Sequence, residues 1–269
     1  MKRVAWLALL GAVGLSACGE EAHDHEEVTD QTTAIWEQIH EERSSGKADG
    51  GVECSGVIVP DQGDFAGRVA LTFDDGPNPA TTPKVLDILK NEGIKATFFI
   101  NGNRVRGDEE KAILQRILAE GHILANHSQS HKDFRTELTL DEARAQIART
   151  DEIVAEAGED QRYFRFPYGS SNCATASLAR DFGYTITGWH IDSADWCYAA
   201  ERGGVGHCHP RTFRWVPDQY RDDMVGYTLS QVRAKNGGVL LFHDIHQNTV
   251  DKLQPVIDGL RERGYTFTN

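Results

Sequence analysis

Two short segments of this chain bring together side chains that can do chemistry. In Thr72-Phe73-Asp74-Asp75-Gly76-Pro77, two adjacent carboxylates stand before a Gly-Pro turn. Neighbouring side chains of an extended chain point to opposite sides, so Asp74 and Asp75 are expected to do different jobs. The plainer reading is a pair of turn residues, since Asp is common at such a position. In His127-Ser128-Gln129-Ser130-His131, two imidazoles are spaced i,i+4. On a helical turn they would share a face and hold one metal ion. A carboxylate from the Asp74-Asp75 pair would complete the set, because two His, one Asp and water make an open metal site of the catalytic kind.

Elements must position these groups. Apolar runs rich in β-branched and aromatic residues predict strands over 69–73, 96–100, 163–166, 184–191 and 239–242. Helical patterns fall between and after them, over 83–91, 109–119, 140–157, 175–182, 229–235 and 250–263. Thr139 or Asp141 is expected to cap the longest helix, and Gly93, Gly121, Gly158, Gly183 and Gly264 fall where helices end. Strand and helix in alternation predict βα units and a parallel sheet, open or closed into a barrel. Asp74, Asp75, Arg165, Asp192 and His243 all lie at or near strand ends, the face that carries active sites in parallel α/β folds.

Composition narrows the partners. The 269 residues carry 28 Lys and Arg against 41 Asp and Glu, a net charge of −13. Nucleic-acid binding rests on neutralising phosphates, so so acidic a chain is not expected to bind it.

Taken together, five ordered segments resemble the polysaccharide deacetylases, carbohydrate esterases built on the NodB homology domain. Thr72 to Gly76 matches the first motif and His127 to His131 the second. Arg165-Phe166-Pro167-Tyr168 matches the third, Asp192-Ser193-Ala194-Asp195-Trp196 the fourth, and Leu241-Phe242-His243-Asp244 the fifth. The resemblance implies a distorted (β/α) barrel with fewer than eight strands, spanning about residues 67–269. It implies that Asp74 is the general base, oriented by Arg165, and that Asp75, His127 and His131 hold a divalent metal. Zinc is the first choice, with cobalt or nickel as substitutes. It further implies that the backbone N–H of Tyr168 helps hold the oxyanion and that His243 is the general acid, its charge supported by Asp192. Trp196 and Leu241 would line the acetyl pocket, with Asp195 and Asp244 in supporting roles. The expected substrate is an acetylated polysaccharide, and N-acetyl groups of a GlcNAc-containing glycan are favoured. An O-acetyl xylan esterase of the same fold and an inactive glycan-binding lipoprotein are the alternatives.

The N-terminus reads as an address. A basic start and a 12-residue apolar stretch from Val4 to Leu15 are too short to span a bilayer, which takes about 20 residues, and predict a signal peptide over 1–17. Leu15-Ser16-Ala17-Cys18 resembles a bacterial lipobox, so Cys18 is expected to be lipidated and to anchor the protein to a membrane of the bacterial envelope. Residues 18–66, acidic and then rich in Gly and Ser, read as tether and lead-in, and a monomer is expected. The remaining cysteines, Cys54, Cys173, Cys197 and Cys208, allow three pairings in an oxidising compartment. The favoured one joins Cys197 to Cys208 and leaves Cys54 with Cys173. The long segment 197–228 departs from the family pattern. Its aromatic residues Phe213, Trp215 and Tyr220 are candidates for stacking on sugars or for burial, and His207 and His209 read as part of a disulfide-closed loop.

Overall fold

The computed structural model describes residues 58–199 and 205–269. The predicted signal peptide, Cys18, Cys54 and most of the tether lie outside the described residues. Strand β1 (Arg68–Asp74) is buried along all but its first residue. A near-continuous apolar run is what a strand covered on both faces requires. Around it stand β2 (Thr97–Ile100), β3 (Ile123–Asn126), β4 (Tyr163–Phe164), β5 (Thr185–Ile186), β6 (Ile191–Asp192), β7 (Gly238–His243) and β8 (Thr266–Thr268). Every pairing is parallel, in the order β5-β4-β3-β2-β1-β7-β6. β7 pairs along Val69 to Asp74 of β1, while β8 takes Arg68 to Ala70 and β2 takes Thr72 to Asp74. β8 and β2 thus divide one edge of β1, so eight strands fill seven positions. β5 and β6 form the two edges of the sheet and do not pair. The distorted α/β barrel with fewer than eight strand positions is therefore the observed architecture.

Helices α1 (Thr82–Glu92), α2 (Asp108–Ala119), α3 (Leu140–Ala157), α4 (Cys173–Asp181), α5 (Asp195–Tyr198), α6 (Met224–Lys235) and α7 (Gln247–Glu262) supply the connections. Thr139 caps α3 through a reciprocal box with Glu142, which resolves the Thr139 or Asp141 alternative. α6 begins five residues earlier than its apolar pattern predicts, because the Asp223 carboxylate accepts from the Gly226 N–H and starts the helix at Met224. Phe73 stacks between Phe98 and Phe242, at 5.0 and 5.8 Å, and ties three strands into one core.

The single strand expected over 184–191 is two short ones at opposite edges of the sheet. Between them the backbone turns the carbonyls of Thr187 and Gly188 onto the buried Arg165 guanidinium. A β-rich stretch does not announce that a distant cation will take two of its acceptors.

Candidate active site

The C-terminal ends of the strands converge on a cavity of about 190 Å³. Asp74, Asp75, His127, His131 and Tyr168 line one part of it, and Asp192, Trp196, Leu241, His243 and His246 another. Register explains the convergence: Asp74 lies level with His243 across the β1–β7 ladder, and Asp192 with Leu241 across β6–β7.

Asp74 closes β1 in extended backbone, but Asp75 has a left-handed φ of 74°. That residue swings its carboxylate back, so both acids face the same cavity. His127 Nε2 lies 3.6 Å from Asp74 Oδ2 and 3.7 Å from Asp75 Oδ1. The expectation of opposite sides is corrected, since alternation holds only while the backbone stays extended. The two histidines need a similar correction. They sit in the loop after β3 rather than on a helical turn, with Ser128 and His131 in left-handed backbone. Loop geometry brings the rings to 5.0 Å.

The residues Asp75, His127 and His131 fit a divalent cation. One ligand atom from each lies within 4.8 Å of the others. Asp75 Oδ1 is buried without a hydrogen-bond partner and lies 3.4 Å from His131 Nε2. His127 Nδ1 is 2.8 Å from the Arg165 carbonyl, the outer contact that commits Nδ1 to its proton and leaves Nε2 as a donor atom. Burial, with His131 beside it, pushes His127 down to about 3, and burial also lowers His131. Burial works to raise Asp75, yet His131, His243 and His127 hold it below its usual range. Neutral imidazoles and an ionised carboxylate are the protonation states a metal takes.

Arg165 is wholly buried. Its Nη1 donates to Asp74 Oδ1 at 2.7 Å and to Thr72 Oγ1 at 2.9 Å, while Nε and Nη2 donate to the Thr187 and Gly188 carbonyls. Its charged plane lies 4.0 Å from the Phe99 ring centroid. So satisfied a cation is a fixed support for Asp74 Oδ1. Burial pushes Asp74 up to about 6, against the pull of Arg165 and His243.

On the other side of the cavity, His243 Nδ1 lies 2.8 Å from Asp195 Oδ1, and its backbone N–H donates to Asp195 Oδ2. Asp195 is fully buried and also accepts from Thr249 Oγ1 and the Trp196 N–H. Burial works against a charged imidazole, but Asp195, then Asp75 and Asp74, raise His243 to about 10. The assignment of Asp192 as the partner of His243 is therefore corrected to Asp195. Asp192 Oδ1 accepts from the Ala194 N–H at 2.7 Å, and burial raises the group to about 6. The left-handed Ala194 turns the chain between them and starts α5, so the second acid of the motif, not the first, reaches the imidazole.

Tyr168 stands at a left-handed φ of 58° with its ring 4.5 Å from His131. Trp196 packs on Phe213 at 5.1 Å. Cys197 is bonded to Cys208, with Cα atoms 4.9 Å apart. Buried Arg221 gathers the carbonyls of Cys208, Phe213 and Arg214, which shapes the loop behind Trp196. His207 pairs with Asp222 at 2.7 Å. Cys173 opens α4, and Cys54, its expected partner, lies outside the described residues.

The profile of polysaccharide deacetylases matches residues 63–187. A chitin deacetylase from Colletotrichum lindemuthianum is 31% identical over 204 residues, covering 74% of this chain and 76% of the relative. This chain belongs to the polysaccharide deacetylase family. The solved structure of the Colletotrichum enzyme superposes with a TM-score of 0.64 at 27% identity, over 81% of this chain and 90% of that one. A peptidoglycan-N-acetylglucosamine deacetylase from Listeria monocytogenes is 32% identical over 74% of this chain, but the match spans only 37% of that relative's length. A CE4 family pseudoenzyme from Bacillus anthracis superposes with a TM-score of 0.58 at 28% identity, over 75% of this chain and 63% of that one.

Within this deacetylase fold, sequence reasoning missed Thr72, Thr249 and Trp189, which support or line the site. It also missed His246, whose ring lies 5.9 Å from His243. Their signals were faint. Thr72 precedes Asp74 by two, the spacing of one strand face, and His246 starts the next helix.

Proposed function

We propose that this chain is a metal-dependent N-deacetylase that hydrolyses the acetamido groups of GlcNAc-containing glycans in the cell envelope, peptidoglycan foremost. The observation that carries the reading is the pair of buried, oppositely tuned groups flanking the Asp75–His127–His131 cluster: Asp74 held by Arg165, and His243 held by Asp195. A bound divalent cation, zinc in the first place, would supply the Lewis acidity that polarises an acetyl carbonyl and acidifies water.

The chain's own residues supply the proton traffic. Asp74, with Oδ1 occupied by Arg165, keeps Oδ2 for the proton of an attacking water. A carboxylate raised to about 6 is a stronger base than an ordinary Asp yet ionised at neutral pH. An amine is a poor leaving group until protonated, and His243, held charged by Asp195, is the donor on the opposite side. The Tyr168 N–H is assigned to the developing oxyanion, a contact worth about 3 kcal/mol in such sites. Trp196 and Leu241 close the apolar end around the acetyl methyl.

Family membership alone does not decide activity, because one neighbour is a pseudoenzyme. The inactive, glycan-binding reading is separated by experiment. Purified protein is offered chitin oligomers, peptidoglycan and acetylated xylan, and acetate release is measured. Release from the first two supports the reading, release from xylan alone favours the O-acetyl esterase, and binding without release from any overturns catalysis. Export and a lipid on Cys18 are part of the same proposal.

A further inference from the structure

A second cavity, of about 160 Å³, is lined by Pro77, Asn78, Pro79, Arg104, Arg106 and Glu110. Pro77 to Pro79 continue the loop that leaves β1 after Asp74 and carries Asp75. Arg104 ends a one-turn helix, Gly102–Arg104, that is sewn between the catalytic loops. The Asn101 N–H donates to the Gly76 carbonyl, and the Gly102 and Asn103 N–H groups donate to the carbonyls of Ser128 and Gln129. Asn101 Nδ2 donates to the His127 carbonyl at 2.7 Å. A side chain on Gly102 would meet Thr150 Oγ1 at 2.4 Å, so the turn is packed tightly in place.

Arg104 forms no ion pair among the described residues, and Arg106 donates only to the Asn103 carbonyl. Glu110 pairs with neither, and its carboxylate lies over Gly107 at the start of α2, where the helix dipole favours it. Two guanidinium groups thus face one spoken-for carboxylate, beside the reaction centre of a chain with net charge −13. The charge of Arg104 reaches Asp75, His131 and His246. Neither the proton transfers nor the cation cluster uses it.

We propose that Arg104 and Arg106 form an anion subsite that recognises a carboxylate on the glycan, borne by the sugar next to the one being deacetylated. Guanidinium groups match carboxylates in geometry and charge, and an otherwise acidic surface would repel an anionic polymer without them. The inference rests on the deacetylase reading for the place of the reacting sugar and goes beyond it in naming the substituent.

The test compares two substrates of equal length: neutral chitin oligomers, and peptidoglycan glycan strands stripped of peptide, which keep the lactyl ether carboxylate. Arg104→Gln is expected to lower the ratio of kcat/KM for the anionic over the neutral substrate about tenfold, through KM, the range of a lost charge-assisted hydrogen bond. Arg104→Lys should restore part of it. Added salt should lower the wild-type ratio but not that of the Arg104→Gln/Arg106→Gln double variant, whose remaining charge is repulsive. A ratio unchanged in the Arg104→Gln/Arg106→Gln double variant overturns the subsite, as does a wild-type ratio insensitive to salt. Binding of both substrates is measured in parallel by calorimetry. If no glycan releases acetate, the deacetylase reading falls, and the binding ratio still decides the subsite.

Discussion

At the scale of single residues, the site separates two neighbouring acids by their surroundings. Asp74 is committed to Arg165, and Asp75 to the two histidines. Asp75→Asn is expected to lose bound metal, since a neutral amide replaces the cluster's anion. Asp74→Asn should keep the metal and lose about 10²–10⁴-fold in kcat, the usual contribution of a general base. Metal content by mass spectrometry beside kcat checks both, and metal lost from Asp74→Asn but kept by Asp75→Asn would mean that the roles are reversed. A second prediction concerns pH. A general acid works protonated, so activity falls as pH rises through its pKa. Asp195 is the chief group holding His243 up, near 10, and Asp195→Asn removes that support. The alkaline limb of the kcat profile should then move to lower pH, towards the ordinary His range, whereas Asp192→Asn should move it less. An Asp195→Asn profile with an unmoved alkaline limb would remove Asp195 from this role.

At the scale of elements, the strands deliver the chemistry and the loops aim it. The capping box of α3, Thr139 with Glu142, lies on the helix rather than in the cavity. Thr139→Ala is therefore expected to cost about 1 kcal/mol of stability with kcat unchanged, read by thermal unfolding beside the acetate assay. Gly76 is the opposite case. A Cβ there would meet Asp244 Oδ2 at 2.4 Å and Oδ1 at 2.6 Å, and Asp244 is buried and also takes the Thr82 hydroxyl. Gly76→Ala should push the loop after β1 out of register with β7 and lower kcat and metal content together. Normal values of both would show that this loop tolerates the displacement. Element boundaries were legible where local chemistry sets them, as in the 140–157 helix with its cap and terminal glycine. β3 and β8 were not: Ile123–Asn126 lacks the aromatic pair that marks the equally short β2, and Thr266–Thr268 has a single apolar residue, so both are set by pairing with distant partners.

At the scale of the whole molecule, five distant segments meet at one face of a parallel sheet, and a cation is expected to join two of them through Asp75, His127 and His131. Dialysis against a chelator should abolish acetate release, and Zn²⁺ or Co²⁺ should restore it, because both accept N and O ligands. Full activity in a preparation verified as metal-free would remove the cation from the mechanism. The anchor is tested separately: Cys18→Ala should lose membrane association, and intact mass should place a lipid on Cys18 of the wild type. Cleavage elsewhere without lipid would end that proposal.

The set of chemical groups and their order along the chain follow from the amino-acid sequence alone. Alternating strand and helix signals implied the parallel sheet, and strand-end polar residues implied which face would react. Local physics carries that much, since periodicity, caps and turn glycines act within a few residues. Which atom faces which is set by long-range packing. Asp75 and His131 turn inward because their backbone leaves the extended and helical regions, which a spacing rule does not encode. Asp195 rather than Asp192 holds His243 because of a turn at Ala194 and the position of β7, brought alongside from about 50 residues away. Arg165 is a wholly buried cation. Its partners Thr72, Asp74, Thr187 and Gly188 come from both sides of it in the chain and become neighbours only when the sheet curves around them.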